Sequence, residues 1–271
     1  MYFITFSRQM GTKGTEVAKQ VAKELQYDFY DTEAIEKVAE ELGFLRDVRE
    51  IDEKAPPFFK RVFSLGPEVF LKHLNVVIYE LARRGSAVFL GRGSNMLFRS
   101  VPCALHVRII ASHEKRVQHL LEKGLTKKTA LAAIEKSDRE RARFIKFAFK
   151  RDWANPELYD IVLNMDHLTV DAAATTVANI ARAEEIRTRC FDGERYVEMM
   201  CLALRVEAAL MEGDFLPNYV SVSVPEPGKV RLSGVVQVPW EKTNVERLLS
   251  KVKGVESLDN QIEIASATEA K

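Results

Sequence analysis

Hydrophobic and polar residues follow two alternating patterns over the first two thirds of the chain. Short, mostly apolar runs, typical of strands in a covered parallel sheet, occur at 3–6, 28–30, 87–90, 105–110 and 161–163. Between them, apolar residues recur at helical spacing at 15–25, 32–42, 67–84, 113–123, 126–149 and 171–189. This alternation predicts a three-layer α/β domain, in which helices cover both faces of a parallel sheet. Residues 46–66 break the pattern and predict a loop or a short helix over the edge of the sheet.

The pattern changes after residue 189. From there a helix, two strands joined by a turn, a second helix and a last strand are predicted at 196–211, 219–224, 230–238, 241–251 and 255–264. Both strands of the predicted hairpin alternate apolar and polar residues, as half-buried strands do. We therefore expect two domains, an α/β domain at 1–189 and a small α+β domain of α-β-β-α-β order at 190–271.

Composition narrows the classes of function. The 271 residues suffice for two cores, and 46% hydrophobic with 29% charged residues are typical of a globular protein. A formal net charge of +1 argues against a nucleic-acid partner. Cys103, Cys190 and Cys201 lack C-x-x-C spacing, which argues against a disulfide framework or a zinc site. Without a visible secretory leader or an apolar run of bilayer length, we expect a cytoplasmic protein with no transmembrane segment.

The clearest candidate for chemistry is the loop between the first strand and the first helix. Backbone N–H groups and a helix N-terminus meet there, which favours phosphate binding. Its candidate phosphate ligands are Gly11, Thr12, Lys13, Gly14 and Thr15. A full Walker loop would have glycine at Ser7 and Thr12 and a hydroxyl residue at Gly14. From the residues alone, a simple strand-to-helix turn that happens to hold a lysine remains an equal alternative.

Five segments in series resemble the cytidylate kinase-like family. They are SRQMGTKGTEVAK at 7–19, FYDTEAI at 29–35, VFLGRG at 88–93, DRERAR at 138–143 and YDIVLN at 159–164. The resemblance implies a P-loop kinase fold that binds ATP and Mg²⁺. It also implies transfer of a phosphoryl group to a nucleoside monophosphate, with CMP or dCMP as the first candidate.

The resemblance assigns roles to the donor side of the site. Lys13 would contact the β and γ phosphates of ATP, and Thr15 or Thr12 would help to hold Mg²⁺. Helical spacing puts Arg139 and Arg143 on one face of the predicted lid helix, where they are the expected catalytic arginines. Arg141 points elsewhere and is the third expected nucleotide-binding arginine of the lid. An arginine cluster on a solvated helix face is the alternative.

The acceptor side is implied by shorter matches. Asp31 and Thr32 would lie near the acceptor, and Arg92, between two glycines at a strand end, would bind its phosphate. Asp160 would reach the lid arginines or only anchor the last strand. Glu33 replaces the glycine of the family's D-T-G motif, so the identity of the acceptor stays open.

The region after residue 189 resembles a BON domain through GKVRLSG at 228–234 and VKGV at 252–255. Such domains attach to membranes, ligands or proteins, so a protein or membrane partner is expected there. A small module that packs on a partner domain or dimerises is the alternative. For the whole chain, the alternative to an enzyme is a nucleotide-binding regulator that has lost turnover. Ser7, Thr12 and Glu33 favour the regulator, whereas Lys13 and the lid arginines favour the enzyme.

Overall fold

The computed structural model describes residues 2–50, 67–188, 192–213 and 220–265. They form two compact units. The first comprises residues up to 50 and from 84 to 193, and the second comprises 67–83 and the residues from 194 onward. The expected boundary at 189/190 remains a prediction, and part of the segment predicted at 46–66 lies outside the described residues.

The helices and strands follow in an order close to the predicted one. They are β1 (Phe3–Arg8), α1 (Gly14–Leu25), β2 (Asp28–Tyr30), α2 (Thr32–Glu41), α3 (Leu45–Glu50), α4 (Pro67–Ala82), β3 (Ala87–Leu90), α5 (Ser94–Leu97), β4 (Ala104–Ile110), α6 (His113–Glu122), α7 (Lys127–Phe149), β5 (Ile161–Asn164), α8 (Val170–Arg182), α9 (Glu184–Arg187), α10 (Gly193–Glu212), β6 (Val220–Glu226), β7 (Lys229–Val236), α11 (Pro239–Leu249) and β8 (Ser257–Ile264).

The first unit is built on a five-stranded sheet of order β2-β3-β1-β4-β5 in which all neighbours are parallel. This confirms the predicted α/β class. The central strand β1 is apolar on both faces because Phe3, Ile4 and Phe6 all lie in the core. Phe3 also packs on Phe89 and Phe98, with ring centroids 6.1 and 5.1 Å away. A rigid central strand therefore leads directly into the candidate phosphate loop.

Side-chain caps fix where several helices of the first unit begin. In each case an oxygen of the residue before the helix accepts a backbone N–H three residues further on. The capping residues are Asp31 of α2, Ser112 of α6, Thr126 of α7 and Thr169 of α8. Helix α1 differs, because the residue before it, Lys13, has no capping side chain. The start of α1 therefore keeps its polar character for a ligand.

The second unit contains a three-stranded sheet of order β6-β7-β8, with β6 antiparallel and β8 parallel to β7. Together with α10 and α11 it confirms the predicted α-β-β-α-β order. Its core includes Val206 of α10, Leu232 of β7, Val245 of α11 and Ile262 of β8. Within the described residues, no helix is both long and apolar enough to cross a membrane.

Helix α4 belongs to this second unit and runs antiparallel to α10. The Lys72 ammonium pairs with Glu207, and Glu80 further along α4 pairs with Arg205. Glu80 also accepts a hydrogen bond from the Cys201 thiol at 2.9 Å. Burial and this carboxylate raise the pKa of Cys201 to about 12, so the thiol stays protonated. The sequence pattern predicts this helix as part of the 1–189 domain, whereas the structure groups it with the second unit.

Candidate functional site

The loop between β1 and α1 surrounds a cavity of about 300 Å³. Gly11 and Lys13 both have left-handed backbones, with φ of 84° and 61°, which turns the chain sharply into the helix. The ligand-type residues that line the cavity include Gly11, Thr12, Lys13, Gly14, Thr15, His119, Lys123 and Arg141. The structure thus brings the whole predicted loop together with one of the three predicted lid arginines.

Ser7 and Thr12, which depart from the Walker pattern, stabilise the loop with their side chains. The Ser7 hydroxyl accepts a hydrogen bond from Trp153 Nε1 at 2.7 Å. The Thr12 hydroxyl donates to the Gln9 carbonyl at 2.9 Å and accepts the Gly14 N–H at 3.3 Å. Both side chains are buried. Because the Thr12 hydroxyl has these two partners inside the loop, Thr15 is the better-placed candidate for a metal ligand.

The two glycines of the loop are required by close packing. A Cβ atom on Gly11 would lie 2.7 Å from the backbone oxygen of Arg116. A Cβ atom on Gly14 would lie 2.7 Å from the Cβ of Arg8. Since real side chains almost never approach so closely, larger residues would displace the loop.

Three side chains from α6 and α7 hold the loop from outside: Arg116, His119 and Asp138. The sequence analysis identified neither Arg116 nor His119, whereas Asp138 lies in the predicted lid motif. Arg116 Nε donates to the Met10 carbonyl at 2.7 Å, and Arg116 Nη2 lies 2.5 Å from Asp138 Oδ2. Asp138 Oδ1 in turn accepts the Met10 N–H at 3.3 Å. His119 Nδ1 lies 2.9 Å from the Gly11 carbonyl, which can only accept, so this nitrogen carries the proton.

Two ion pairs involve lysines that line the cavity. Lys13 Nζ lies 3.7 Å from Glu122, and Lys123 Nζ lies 2.8 Å from Glu16. Partial burial raises the pKa of Glu16, but the Lys123 hydrogen bond and the nearby lysine charges outweigh it and leave the pKa below its usual value. Glu16 is therefore ionised at neutral pH. Both ion pairs are partly exposed and of the weak kind that an incoming polyanion can exchange.

The lid arginines on α7 differ from one another in their surroundings. Arg141 lines the loop cavity, and its Nη1 donates to Ser137 at 2.5 Å. Arg139 is exposed and pairs with Glu135 on its own helix. Arg143 is also exposed. Asp138, which binds Met10, lies three residues before Arg141, so the two share the face of α7 that meets the loop. The structure therefore places Arg141 at the loop instead of the predicted pair Arg139 and Arg143.

The predicted acceptor residues lie at the carboxyl ends of β2 and β3. Arg92 is only 1% exposed, and its left-handed backbone (φ 55°) sits between two glycines, as expected. Its Nη1 donates to the Val48 carbonyl at 3.4 Å, and Nη2 lies 3.8 Å from Glu36. Asp31 caps α2 through Ala34, and Thr32 is exposed in the first turn of that helix.

Asp160 anchors the last strand of the sheet. Its carboxylate accepts the backbone N–H of His106 at 2.7 Å, and its own N–H donates to the His106 carbonyl at 2.8 Å. This corresponds to the second of the two predicted roles. Burial lowers the pKa of His106, although the Asp160 charge opposes the shift.

A second cavity of about 540 Å³ opens at the carboxyl ends of β4 and β5, and Gln9 lines both cavities. Arg108, 5% exposed, forms part of its wall. Its guanidinium stacks on Trp153, with 4.3 Å to the ring centroid, and donates to the Tyr159 hydroxyl at 3.0 Å. Polar residues, among them Ser112, Asn164 and Asp166, make up about half of its lining.

Comparisons with known proteins agree with this geometry. Residues 3–167 match the model of the cytidylate kinase-like family, and residues 202–266 match the BON domain. An uncharacterized protein from Eubacterium ventriosum ATCC 27560 shares the fold at 21% identity and a TM-score of 0.54, over 66% of this chain and 97% of that chain.

Other solved structures are less similar. A sugar kinase from Janibacter sp. HTCC2649 gives a TM-score of 0.41 at 12% identity, over 69% of this chain and 98% of that one. A shikimate kinase from Bacteroides thetaiotaomicron gives 0.40 at 12% identity, over 67% and 99%. No curated protein matches the sequence.

Proposed function

Because the chain belongs to the cytidylate kinase-like family, we propose that it transfers the γ-phosphoryl group of ATP to a nucleoside monophosphate, with CMP or dCMP as the first candidate. An oxygen of the acceptor's phosphate forms a bond to the γ-phosphorus. The bond from that phosphorus to the β–γ bridging oxygen breaks. ATP and the monophosphate thereby become ADP and a nucleoside diphosphate. We propose a cytoplasmic location for this activity.

One observation carries the proposal. Lys13, Thr15 and Arg141 line the same cavity at the uncapped start of α1. Phosphoryl transfer needs positive charge around the moving group more than it needs covalent help from the protein. In the proposed role, Lys13 contacts the β and γ phosphates and Arg141 binds the transferred group through its planar fork of N–H donors.

The donor set also fits a magnesium ion that arrives with ATP. Mg²⁺ keeps several waters and takes few ligands from the protein, and Thr15 offers it a hydroxyl at the loop. The described residues contain no cluster of three or more His, Cys, Asp or Glu that could hold a metal by itself. When bound, the ion would neutralise charge on the phosphates, and Thr15 is the residue we propose as its protein ligand.

Asp31, Thr32 and Arg92 remain our proposed contacts of the acceptor. The Arg92 guanidinium is buried against Val48 and Glu36. For Arg92 to bind a phosphate, it must exchange these two partners for the acceptor's oxygens. We therefore propose that acceptor binding is accompanied by movement of the segment from α2 to α3, which carries both partners.

A nucleotide-binding regulator without turnover remains the second candidate. It is favoured by the pairing of Lys13 with Glu122, because an enzyme must break this pair to use the lysine. The degenerate loop no longer favours it, because the side chains of Ser7 and Thr12 stabilise the loop.

For the BON region we propose a role in attachment to a protein or membrane partner. Trp240 lies in the first turn of α11 and is 61% exposed, and Val235 and Ile264 also expose apolar surface in the same unit. An exposed tryptophan is a common anchor at interfaces. A Trp240→Ser variant should lose the shift in tryptophan fluorescence that a partner or vesicle causes, while nucleotide binding stays unchanged.

The test of the main proposal is ADP release from MgATP across a panel of nucleoside monophosphates, with nucleotide binding measured in parallel. We expect release that depends on one monophosphate. Nucleotide binding without release would favour the regulator, and absence of both would reject the nucleotide site.

A further inference from the structure

Arg116, a buried residue outside the predicted motifs, and Asp138, the first residue of the predicted lid motif, bind the backbone N–H and carbonyl of Met10 in the phosphate loop. Arg116 Nε donates to the Met10 carbonyl at 2.7 Å, and Asp138 Oδ1 accepts the Met10 N–H at 3.3 Å. The two side chains join each other at 2.5 Å between Nη2 and Oδ2. We name this closed ring of hydrogen bonds, formed by Met10, Arg116 and Asp138, the Met10 clamp.

The clamp connects three elements that are far apart in sequence. Met10 is in the loop, Arg116 is on α6, and Asp138 is at the middle of α7, the helix that carries the lid arginines. The Arg116 side chain is 6% exposed and that of Asp138 23%. At this depth, a charged pair that also binds two backbone groups holds its geometry firmly.

Two further contacts extend this support. Next to the clamp, the carbonyl of Gly11 accepts a hydrogen bond from His119 Nδ1, and a Cβ on Gly11 would strike the Arg116 backbone oxygen. The peptides on both sides of the left-handed Gly11 are therefore held by α6. On α7, Asp138 shares its face with Arg141, so its bond to Met10 also turns Arg141 toward the loop cavity.

We infer that Arg116 and Asp138 are positioning residues: they fix the phosphate loop in its binding conformation and set the rotation of the lid helix that brings Arg141 to the loop. The inference rests on the proposed function, since it assigns these residues to the binding of phosphate groups. Neither residue lies at the donor phosphates in this role; both act through Met10 and Arg141.

The test uses Asp138→Asn and Arg116→Lys in the full chain, with Glu140→Gln as the matched control. Glu140 is a carboxylate on the same helix, and its pairing in the described residues is a 3.9 Å contact with Lys136. We expect each clamp variant to raise the Kd for MgATP and for inorganic tripolyphosphate roughly tenfold, the usual scale for one charged hydrogen bond. The double variant should be no worse than about the poorer single variant, because both changes open the same ring.

A purely structural role would lower the thermal midpoint and leave the affinity of the remaining folded protein unchanged. A second readout separates the clamp from the proposed function. Amide hydrogen exchange of residues 8–16 in the free protein should become roughly tenfold faster in Asp138→Asn and stay unchanged in Glu140→Gln.

Faster loop exchange with weaker binding of both probes supports the inference. Unchanged amide exchange of residues 8–16, or a loss of MgATP and tripolyphosphate affinity no greater than that of Glu140→Gln, overturns the inference. If the wild type binds neither MgATP nor tripolyphosphate, the proposed function fails and the exchange data still decide whether the clamp holds the loop.

Discussion

Restoring the Walker glycine by Ser7→Gly should destabilise this protein instead of improving it. The Ser7 hydroxyl is the acceptor for the buried Trp153 indole N–H at 2.7 Å and lies 3.3 Å from the Tyr159 hydroxyl. Tyr159 keeps another partner, the Trp153 carbonyl at 3.0 Å, whereas the indole has a single N–H and loses its acceptor.

The loss in the free energy of unfolding caused by Ser7→Gly has two contributions. A buried donor left without an acceptor costs about 1–3 kcal/mol. Glycine in a strand costs about 0.5–1 kcal/mol more through backbone entropy. The two contributions add to about 1.5–4 kcal/mol, which for a domain of this size lowers the thermal midpoint by roughly 3–16 °C.

Thermal unfolding with intrinsic fluorescence or calorimetry measures this loss. Ser7→Ala is the matched control, since it removes the hydroxyl but not the Cβ, and it should show the first contribution alone. In a double-mutant cycle with Trp153→Phe, which removes the donor, the two losses should not add. Wild-type stability or higher turnover in Ser7→Gly would refute the view that the Ser7 hydroxyl stabilises the loop through its hydrogen bond with Trp153.

Three further predictions concern the cavity and the sheet. Lys13→Ala should lower turnover by about 10²-fold or more with little change in stability, and unchanged rates of ADP release would remove Lys13 from the site. Arg141→Ala should lower kcat strongly while ATP affinity changes only a few fold, whereas Arg139→Ala should do less; the reverse order in steady-state kinetics would restore the predicted pair. Because burial lowers the pKa of His106 in the folded state, its contribution to stability is complete above the unfolded value near 6.5 and is lost as the pH falls below it. The thermal midpoint should therefore drop between pH 7.5 and 5.5, and a His106→Gln variant that drops equally would contradict this origin.

The sequence predicts the sheet well because its information is local. Mostly apolar runs such as β1 and β4 are typical of strands in a covered parallel sheet, and capping residues such as Asp31 and Thr126 mark where helices begin. The phosphate loop was predictable for the same reason, since its strand, its glycines and its helix are contiguous.

The lid shows where local information ends. Helical spacing tells that Arg139 and Arg143 share a face, but not which face meets the loop. In the structure, the face of α7 that meets the loop is fixed by Asp138, which binds Met10, a residue 128 positions away in the sequence. A carboxylate three residues before Arg141 is the one signal in the sequence that could have suggested this rotation.

Helix α4 illustrates the same limit at the level of domains. Its apolar pattern predicts a buried helix within the first domain, yet its ion pairs join it to α10 of the second unit. Lys72 and Glu207 are 135 residues apart, and the sequence around neither residue predicts that they pair.

The central claim is that the γ-phosphoryl group passes to a nucleoside monophosphate. Phosphorus NMR of the full chain with MgATP and CMP tests it most directly, because it distinguishes a new diphosphate from free phosphate. The account predicts equal growth of ADP and CDP signals that stops in Lys13→Ala. Inorganic phosphate in place of CDP, or an unchanged ATP spectrum with every monophosphate of the panel despite measured ATP binding, would contradict it.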